Sequence, residues 1–378
     1  MDSAMLNCRT YKYHLYPNCR QRDRLQTTLY LCRELYNAAL QERIESYKIT
    51  GKGTTFNSQS LQLPEIKEIR EDIFSVYGQV LQDVLHRLDK TYQSFFKRIK
   101  LGQKAGFPRF KGENRYNSFT YPQNGFKLSG NFLQLSKIGN IKIRLHRKIE
   151  GEVKTLSIIR EAGNWYACFA VEFEPVPLPK NDKAIGIDVG LEYFATLSDG
   201  TVIENPRWYR NAKAQLRRAQ RRVSRRKKGS IRRRKAVLIL QKAHQHIKNQ
   251  RLDFHHKLSH WLVQNFGTIV VEDLNVKGLS KGFLAKSVND VGWGSFFSKL
   301  SYKAENAGRK LIKVDPSGTS QTCLCGAKVS KTLSDREHIC TKCGLVAPRD
   351  LVSAQIILQR AGIPLSSDNV SETILSVA

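Results

Sequence analysis

A chain of 378 residues, 40% apolar and 9% aromatic, has the length for two or three domains and the composition of ordinary globular protein. Its 63 Lys+Arg against 33 Asp+Glu leave a formal charge of +30, and that self-repulsion calls for a polyanionic partner, nucleic acid before any other. A membrane is excluded as that partner: there is no run of about 18 apolar residues, no lipidation motif or amphipathic anchor, and no signal peptide in the polar, basic first twenty residues, so a soluble intracellular protein is expected.

Residues 6–16 alternate, Arg9, Tyr11, Tyr13 and Leu15 against Lys12 and His14, and read as one strand. From Gln21 the period becomes helical through Leu25, Leu29, Leu35, Leu40 and Ile44. After a polar loop, Thr50 to Ser60, a second helix runs through Val80, Leu81, Val84, Leu85, Leu88, Tyr92, Phe95 and Phe96 to end near Gly102. Residues 17–104 therefore read as a helical domain. Between Phe107 and Pro177, Trp165, Ala167, Phe169, Val171 and Phe173 alternate with other residues. Asn124-Gly125, Gly130-Asn131, Gly139-Asn140 and Gly163-Asn164 fall at hairpin intervals. A small β-barrel over 105–180 is expected, with residues 1–16 returning to it and the helices inserted, followed by a linker at Pro175, Pro177 and Pro179.

The remainder reads as α/β: strands at Ala184–Asp188, Glu192–Leu197 and Thr201–Glu204, a long helical region over 207–265, strands at Thr268–Glu272 and Lys310–Val314, and a helix from Leu351 to Gln359. Residues 366–378 have no period and read as a flexible tail.

Three acids end or open these elements. Asp188 closes the strand Ile185-Gly186-Ile187-Asp188, Glu272 closes Thr268-Ile269-Val270-Val271-Glu272, and Asp350 opens the last helix after Pro348-Arg349. Each alone also fits a turn or capping acid. In the order strand-Asp, strand-Glu, helix-Asp within a basic protein, they fit two-metal phosphodiester cleavage, in which several carboxylates converge on two Mg²⁺ ions. Glu272 is expected to take the metal and Asp273 the turn. Of eight cysteines, Cys8, Cys19, Cys32 and Cys168 are scattered and read as small buried or half-buried residues. Cys323, Cys325, Cys340 and Cys343 have the spacing of one tetrahedral structural Zn²⁺, each pair followed by a glycine. His338 is a spare candidate ligand, expected at the surface. From Asn205 to Leu252 there is no acid, while 207–235 holds fifteen Lys or Arg. Arg217, Arg218, Arg221, Arg222, Arg225 and Arg226 recur at i, i+4 and i+8, a double cationic stripe. Arg109, Lys111, Arg115 and Tyr121 interleave cations and aromatics as a nucleic-acid channel does.

In the segments GIDVGLEYFATLSDG (186–200), VVEDLNVKGL (270–279), VGWGSF (291–296), KVDPSGTSQTC (313–323) and CTKCGLVAPRD (340–350), the chain resembles TnpB, the transposon-encoded relatives of type V CRISPR nucleases. QVLQDVLHRLDKTYQSFF (79–96) and GFPRFKGENRYNSFTYP (106–122) extend the resemblance over about residues 6–362. It implies an α+β multidomain protein: a wedge-like barrel (1–16 and 105–180), a helical recognition domain (17–104), an RNase H-like RuvC domain (181–319 and 348–365) and a zinc-binding insert (320–347). The activity it implies is RNA-guided DNA endonuclease, with Asp188, Glu272 and Asp350 in the catalytic positions. The implied partners are a guide RNA from the transposon end and double-stranded target DNA carrying a short adjacent motif, met in the prokaryotic cytoplasm at the nucleoid. The arginine stripe would then grip guide or guide–target phosphates. Gln79 and Gln82 match positions that approach the adjacent motif, and Arg336 would hold the substrate strand. Three features depart from the family pattern: the first cysteine pair is CxC, Pro348 replaces a frequent Asp, and Val352 replaces a frequent Asn. Two other readings compete. A nuclease-inactive guided binder or transposition-targeting protein typically loses the carboxylates, and all three stand here. A transposase proper would not be expected to carry the four-cysteine insert.

Overall fold

In a computed structural model, which describes residues 6–113, 115–332, 335–365 and the strand residues 374–375, the chain forms two compact units dividing between Glu174 and Pro175. The first unit begins with β1 (Asn7–Tyr16), continues through helices α1 (Cys19–Thr50), α2 (Phe56–Leu61), α3 (Leu63–Ile69) and α4 (Gly78–Lys100), and then lays down β2 (Ser118–Tyr121), β3 (Phe126–Ser129), β4 (Phe132–Leu135), β5 (Gly139–Arg144), β6 (Glu152–Glu161) and β7 (Asn164–Phe173). The strands form one antiparallel sheet in the order β2-β6-β7-β1-β5-β4-β3. It is nearly closed, because its edge strands β2 and β3 are joined by residues 122–125 and the Tyr121 hydroxyl donates to Ser136 O at 3.1 Å. The first strand does return to this sheet, between β5 and β7, and its Tyr11, Tyr13 and Leu15 share a single hydrophobic core with Leu25, Leu29 and Leu40 of α1 and Val84 and Leu88 of α4. The β6–β7 hairpin turns on Ala162 and Gly163, both at positive φ (48° and 83°), the two-residue geometry that matches strand twist.

Helix α2 occupies part of the stretch read as a polar loop. Its polarity is deceptive, since Gln59 is buried and takes the place of an apolar contact. Its amide accepts from Arg43 Nε (2.8 Å) and donates to Ala39 O (2.9 Å), while Thr55 and Ser58 form a capping box at the helix start.

The second unit opens with Pro-rich chain that follows its own surface, Leu178 N–H donating to Ala307 O at 3.0 Å. Strands β8 (Ala184–Val189), β9 (Tyr193–Leu197) and β10 (Val202–Glu204) form an antiparallel meander. Helices α5 (Trp208–Ser224) and α6 (Ile231–Asn265) follow, so the long helical region is two helices broken at 225–230. Then come β11 (Thr268–Glu272), α7 (Val276–Leu279), α8 (Ala285–Val291), α9 (Trp293–Asn306), β12 (Lys310–Val314), the hairpin β13 (Glu337–Ile339) and β14 (Val346–Pro348), α10 (Arg349–Arg360) and β15 (Ile374–Leu375). The sheet order is β12-β11-β8-β9-β10-β15, with β11 parallel to both β8 and β12. On one face Ile185, Ile187, Ile269 and Val271 pack with Phe254 and Leu258 of α6 and Phe296 and Leu300 of α9. On the other, Val270 and Val314 pack with Ile357 and Leu358 of α10. The two faces follow from the period-2 alternation of the strands. Of the tail, 366–373 and 376–378 lie outside the described residues, and 374–375 pair with β10.

Candidate functional site

Strand register and one glycine bring the three acids together. β11 runs parallel to β8 with Val270 opposite Gly186 and Val271 opposite Ile187, so the next step sets Glu272 beside Asp188 at the carboxyl ends of both strands. Both lie on the face covered by α10. A Cβ on Gly186 would sit 2.2 Å from Ala354 O and 3.1 Å from Leu358, so only glycine lets α10 lie this close to β8. From Gly186, two strand residues lead to Asp188, about 6.6 Å. From Ala354, four helix residues lead back to Asp350, about 6 Å. The two acids therefore converge at the same edge.

The electrostatics show the convergence. Burial pushes the Asp188 carboxyl well above the usual carboxylate range, the charges of Glu272 and Asp350 push it further, and Arg349 offsets part of this. Burial also raises Glu272. The Thr319 hydroxyl, donating to Glu272 Oε1 at 2.5 Å, opposes this, as does the charge of Arg360, while Asp315 adds to the rise. Asp350 opens α10, where Arg349 Nε donates to its Oδ1 at 3.0 Å. Asp273 faces solvent and pairs with Lys313 at 3.1 Å, as expected of the turn acid. An acidic cluster in which Glu272 and Asp350 raise the Asp188 carboxyl is relieved by a bound cation, and hard oxygen donors suit a divalent ion such as Mg²⁺. Sequence reasoning missed Thr319 and Asp315. Both stand in the segment 313–323: Asp315 follows Val314, the β12 residue paired with Glu272, and Thr319 reaches Glu272 through its hydroxyl.

The four cysteines converge. Their sulfurs all lie within 4.8 Å of one another, with Cys323–Cys343 at 3.6 Å and Cys325–Cys340 at 3.7 Å. Each pair closes a knuckle: Gly326 N–H donates to Cys323 O and Gly344 N–H to Cys340 O, both at 2.9 Å, with both glycines at positive φ. The CxC knuckle is one residue tighter and still delivers its sulfurs. The Cys343 and Lys342 amides point at the Cys340 sulfur and hold its thiol down to about 6. An all-sulfur donor set of this size fits one Zn²⁺. His338 corrects an expectation. It is fully buried rather than at the surface, because the central residue of β13 packs toward α10, and its Nδ1 meets Lys331 Nζ.

Among the other candidates, Arg217, Arg218, Arg221, Arg222, Arg225 and Arg226 are all exposed, while Leu216 and Val223 turn inward. Arg233 instead donates to Val223 O (2.8 Å) and Arg226 O (3.0 Å), capping the carbonyls that end α5. At its start, the buried Asp290 accepts from the Tyr209 and Arg210 amides (2.8 and 3.2 Å), a cap supplied by α8 that no local motif could disclose. Arg336 is exposed and pairs with Glu192 at 2.7 Å. In the first unit, Gln82, Arg109 and Arg115 are exposed, Gln79 accepts from the Asn124 amide at 3.2 Å, and Lys111 lies 5.6 Å over the Tyr36 ring. Tyr121 does not belong with them. It is a core residue packed on Phe119 and Tyr77, and its face is closed to any base.

A family model described as "Probable transposase" matches residues 168–282, and one described as "Cas12f1-like, TNB domain" matches 293–357. A "Putative RNA-guided DNA endonuclease" of Streptomyces pristinaespiralis is 35% identical over 95% of this chain and 90% of its own length. The chain belongs to the TnpB family. The "Putative RNA-guided DNA endonuclease InsQ" of Escherichia coli (strain K12) is 31% identical, covering 94% of this chain and 92% of that one. The fold is shared with the protein in the "Cryo-EM structure of the Cas12f1-sgRNA-target DNA complex", at a TM-score of 0.55 and 15% identity over 90% of this chain and 83% of the other, in keeping with the relation of TnpB to type V effectors. A "Helix-turn-helix domain" model matches residues 5–52, yet this TnpB chain places there β1 and the single long helix α1. Of the two departures from the TnpB pattern around Asp350, Pro348 ends β14 opposite Glu337, and Val352 is buried, about 200° round the helix from Asp350. Among the described residues no helix is long and apolar enough to cross a membrane.

Proposed function

We propose that this chain is an RNA-guided DNA endonuclease that cuts double-stranded DNA beside a short adjacent motif, using two Mg²⁺ ions held by Asp188, Glu272 and Asp350. The observation that carries this reading is the convergence of Asp188, Glu272 and Asp350 at one sheet edge, set by the β8–β11 register and by the close approach of α10 at Gly186. An antiparallel meander, two further parallel strands and α10 across one face support an RNase H-like RuvC domain. Bound metal would supply activation of water and stabilisation of the charge on the transferring phosphoryl group. Thr319 fixes the orientation of Glu272, and Arg349 holds Asp350. The arginines of α5 grip the phosphates of a guide RNA from the transposon end and of its duplex with the target, while base pairing reads the sequence. Gln82, and Gln79 beside Asn124, face the adjacent motif, with Arg109, Lys111 and Arg115 along the channel and Arg336 on the substrate strand. The four cysteines hold one structural Zn²⁺. The setting is the bacterial cytoplasm, at the nucleoid.

Cleavage of guide-matched DNA in Mg²⁺ is the test. Asp188→Ala, Glu272→Ala and Asp350→Ala should each lower the rate by about a thousandfold or more while leaving target binding unchanged, and Asp273→Ala should be mild. Wild-type protein that binds matched DNA with guide and Mg²⁺ present, and never cuts it, overturns the enzyme assignment.

A further inference from the structure

The first unit contains a cavity of about 890 Å³ between α1, α2, α4 and the chain that follows α4. Tyr47, Tyr92, Phe95, Phe96 and Phe107 line it. Phe95 and Tyr92 meet Phe107 edge-on, at 5.4 and 5.8 Å between ring centres. Tyr47, Phe96 and Phe107 remain 63%, 53% and 49% exposed, too open for core residues. Two observations point to the chemistry that fills the space. From Lys90 to Gly112 the chain carries seven Lys or Arg and no acid, and Lys97, Arg98, Lys100, Lys104 and Arg109 are exposed. Arg43, only 6% exposed, also lines the cavity; its guanidinium lies 5.2 Å over the Tyr92 ring and is fixed there by Gln59, which accepts from Nε, and Asp89, which accepts from Nη1 at 3.0 Å. A cation held on a lining ring adds positive potential to an otherwise apolar wall. Apolar rings with a cationic rim are the requirements of a base with its phosphates.

We propose that this cavity receives an unpaired nucleobase of a bound RNA, stacked against Phe96 and Phe107, with the flanking phosphates on the cationic rim. RNA is the source because folded RNA presents unstacked bases in loops and bulges, whereas a duplex must break its stack to release one. The inference rests on the reading of the chain as RNA-guided, and it adds a site outside the carboxylates and the α5 stripe.

The test uses the full chain and a single-stranded RNA oligonucleotide of mixed sequence, with DNA of the same sequence alongside. Ultraviolet crosslinking followed by peptide mapping should place RNA on Tyr47, Phe96 or Phe107. The double variant Phe96→Ala, Phe107→Ala should lose that crosslink and weaken RNA binding about tenfold or more. Its salt dependence should stay unchanged, because phosphate contacts are untouched. Both residues are half-exposed, so the fold should survive, as circular dichroism would record. Affinity within twofold of wild type, or crosslinks only elsewhere, would overturn the proposal. So would preferential crosslinking of the DNA, or a concentration-dependent dimer abolished by the same variant. Asp188→Ala protein should keep the crosslink, so a failed nuclease assignment and a failed base site give different results.

Discussion

Two clusters of anionic ligands in the second unit are built on opposite principles. The four cysteines fall between 323 and 343, and two tight turns suffice to bring their sulfurs together. The three carboxylates are more than seventy residues apart from one another in sequence, and they meet only because β8 and β11 share a register and Gly186 admits α10. The soft, local cluster organises the chain around itself when it is filled. The hard, remote cluster is imposed on its residues by a fold that hydrophobic packing has already formed, so its members repel one another and detract from stability. In the function proposed above, the chemistry sits in the cluster that the fold tolerates rather than in the one that supports it.

The largest effect is expected from Cys340→Ser, which should abolish stoichiometric zinc in elemental analysis. Hydrogen exchange should then rise across 323–348 far more than in β8 or β11, since metal binding of this kind is folding energy for the segment that holds it. Zinc-free protein with unchanged protection there would remove the structural role.

Asp188→Asn should act in the opposite sense on stability. The folded value of this carboxyl lies above its unfolded value, so the fold disfavours the ionised form. That penalty is absent below the ordinary carboxylate range and grows as pH rises through the folded value. Metal-free Asp188→Asn protein should therefore melt about 2–4 °C above wild type at neutral or alkaline pH, with the gain fading in acid. Millimolar Mg²⁺ should stabilise the wild type more than the variant. A melting temperature lowered by the substitution at neutral pH would contradict the account of mutual repulsion.

The smallest effect concerns Thr319, which stands four residues before Cys323 yet donates to Glu272. Losing one hydrogen bond to a carboxylate is worth about 1.5 kcal/mol, so Thr319→Val should raise the Mg²⁺ needed for half-maximal cleavage about tenfold and leave zinc content intact. Thr319→Ser should restore the wild-type value. Loss of zinc in Thr319→Val would show that the residue serves the cysteine knuckle instead.

Much of the fold was legible because its signals are short-range. The alternation in β1 and β7 marked their core faces, the apolar runs of β8 and β11 marked buried strands, and the apolar period in α1 and α4 marked buried residues as far as Leu88, beyond which Phe96 is exposed. Residues whose setting depends on distant chain were misread or passed over. Gln59 looks like loop and is buried; His338 looks like surface and is buried under α10; Tyr121 sits among cations in sequence and faces the barrel core. Asp290 resembles any helix acid until the α5 amides are found on it.

Legible from the amino-acid order alone were the strong positive charge, the strands that end on Asp188 and Glu272, the helix that begins at Asp350, and the four-sulfur site. These are properties of composition, period and spacing, which need no partner segment to express them. Chain folding in three dimensions settled that the three acids share one edge, that Thr319 donates to Glu272, and that an open aromatic cavity lies beside α4. Each of those depends on which surfaces pack together, and packing is settled by contacts between residues far apart in the chain.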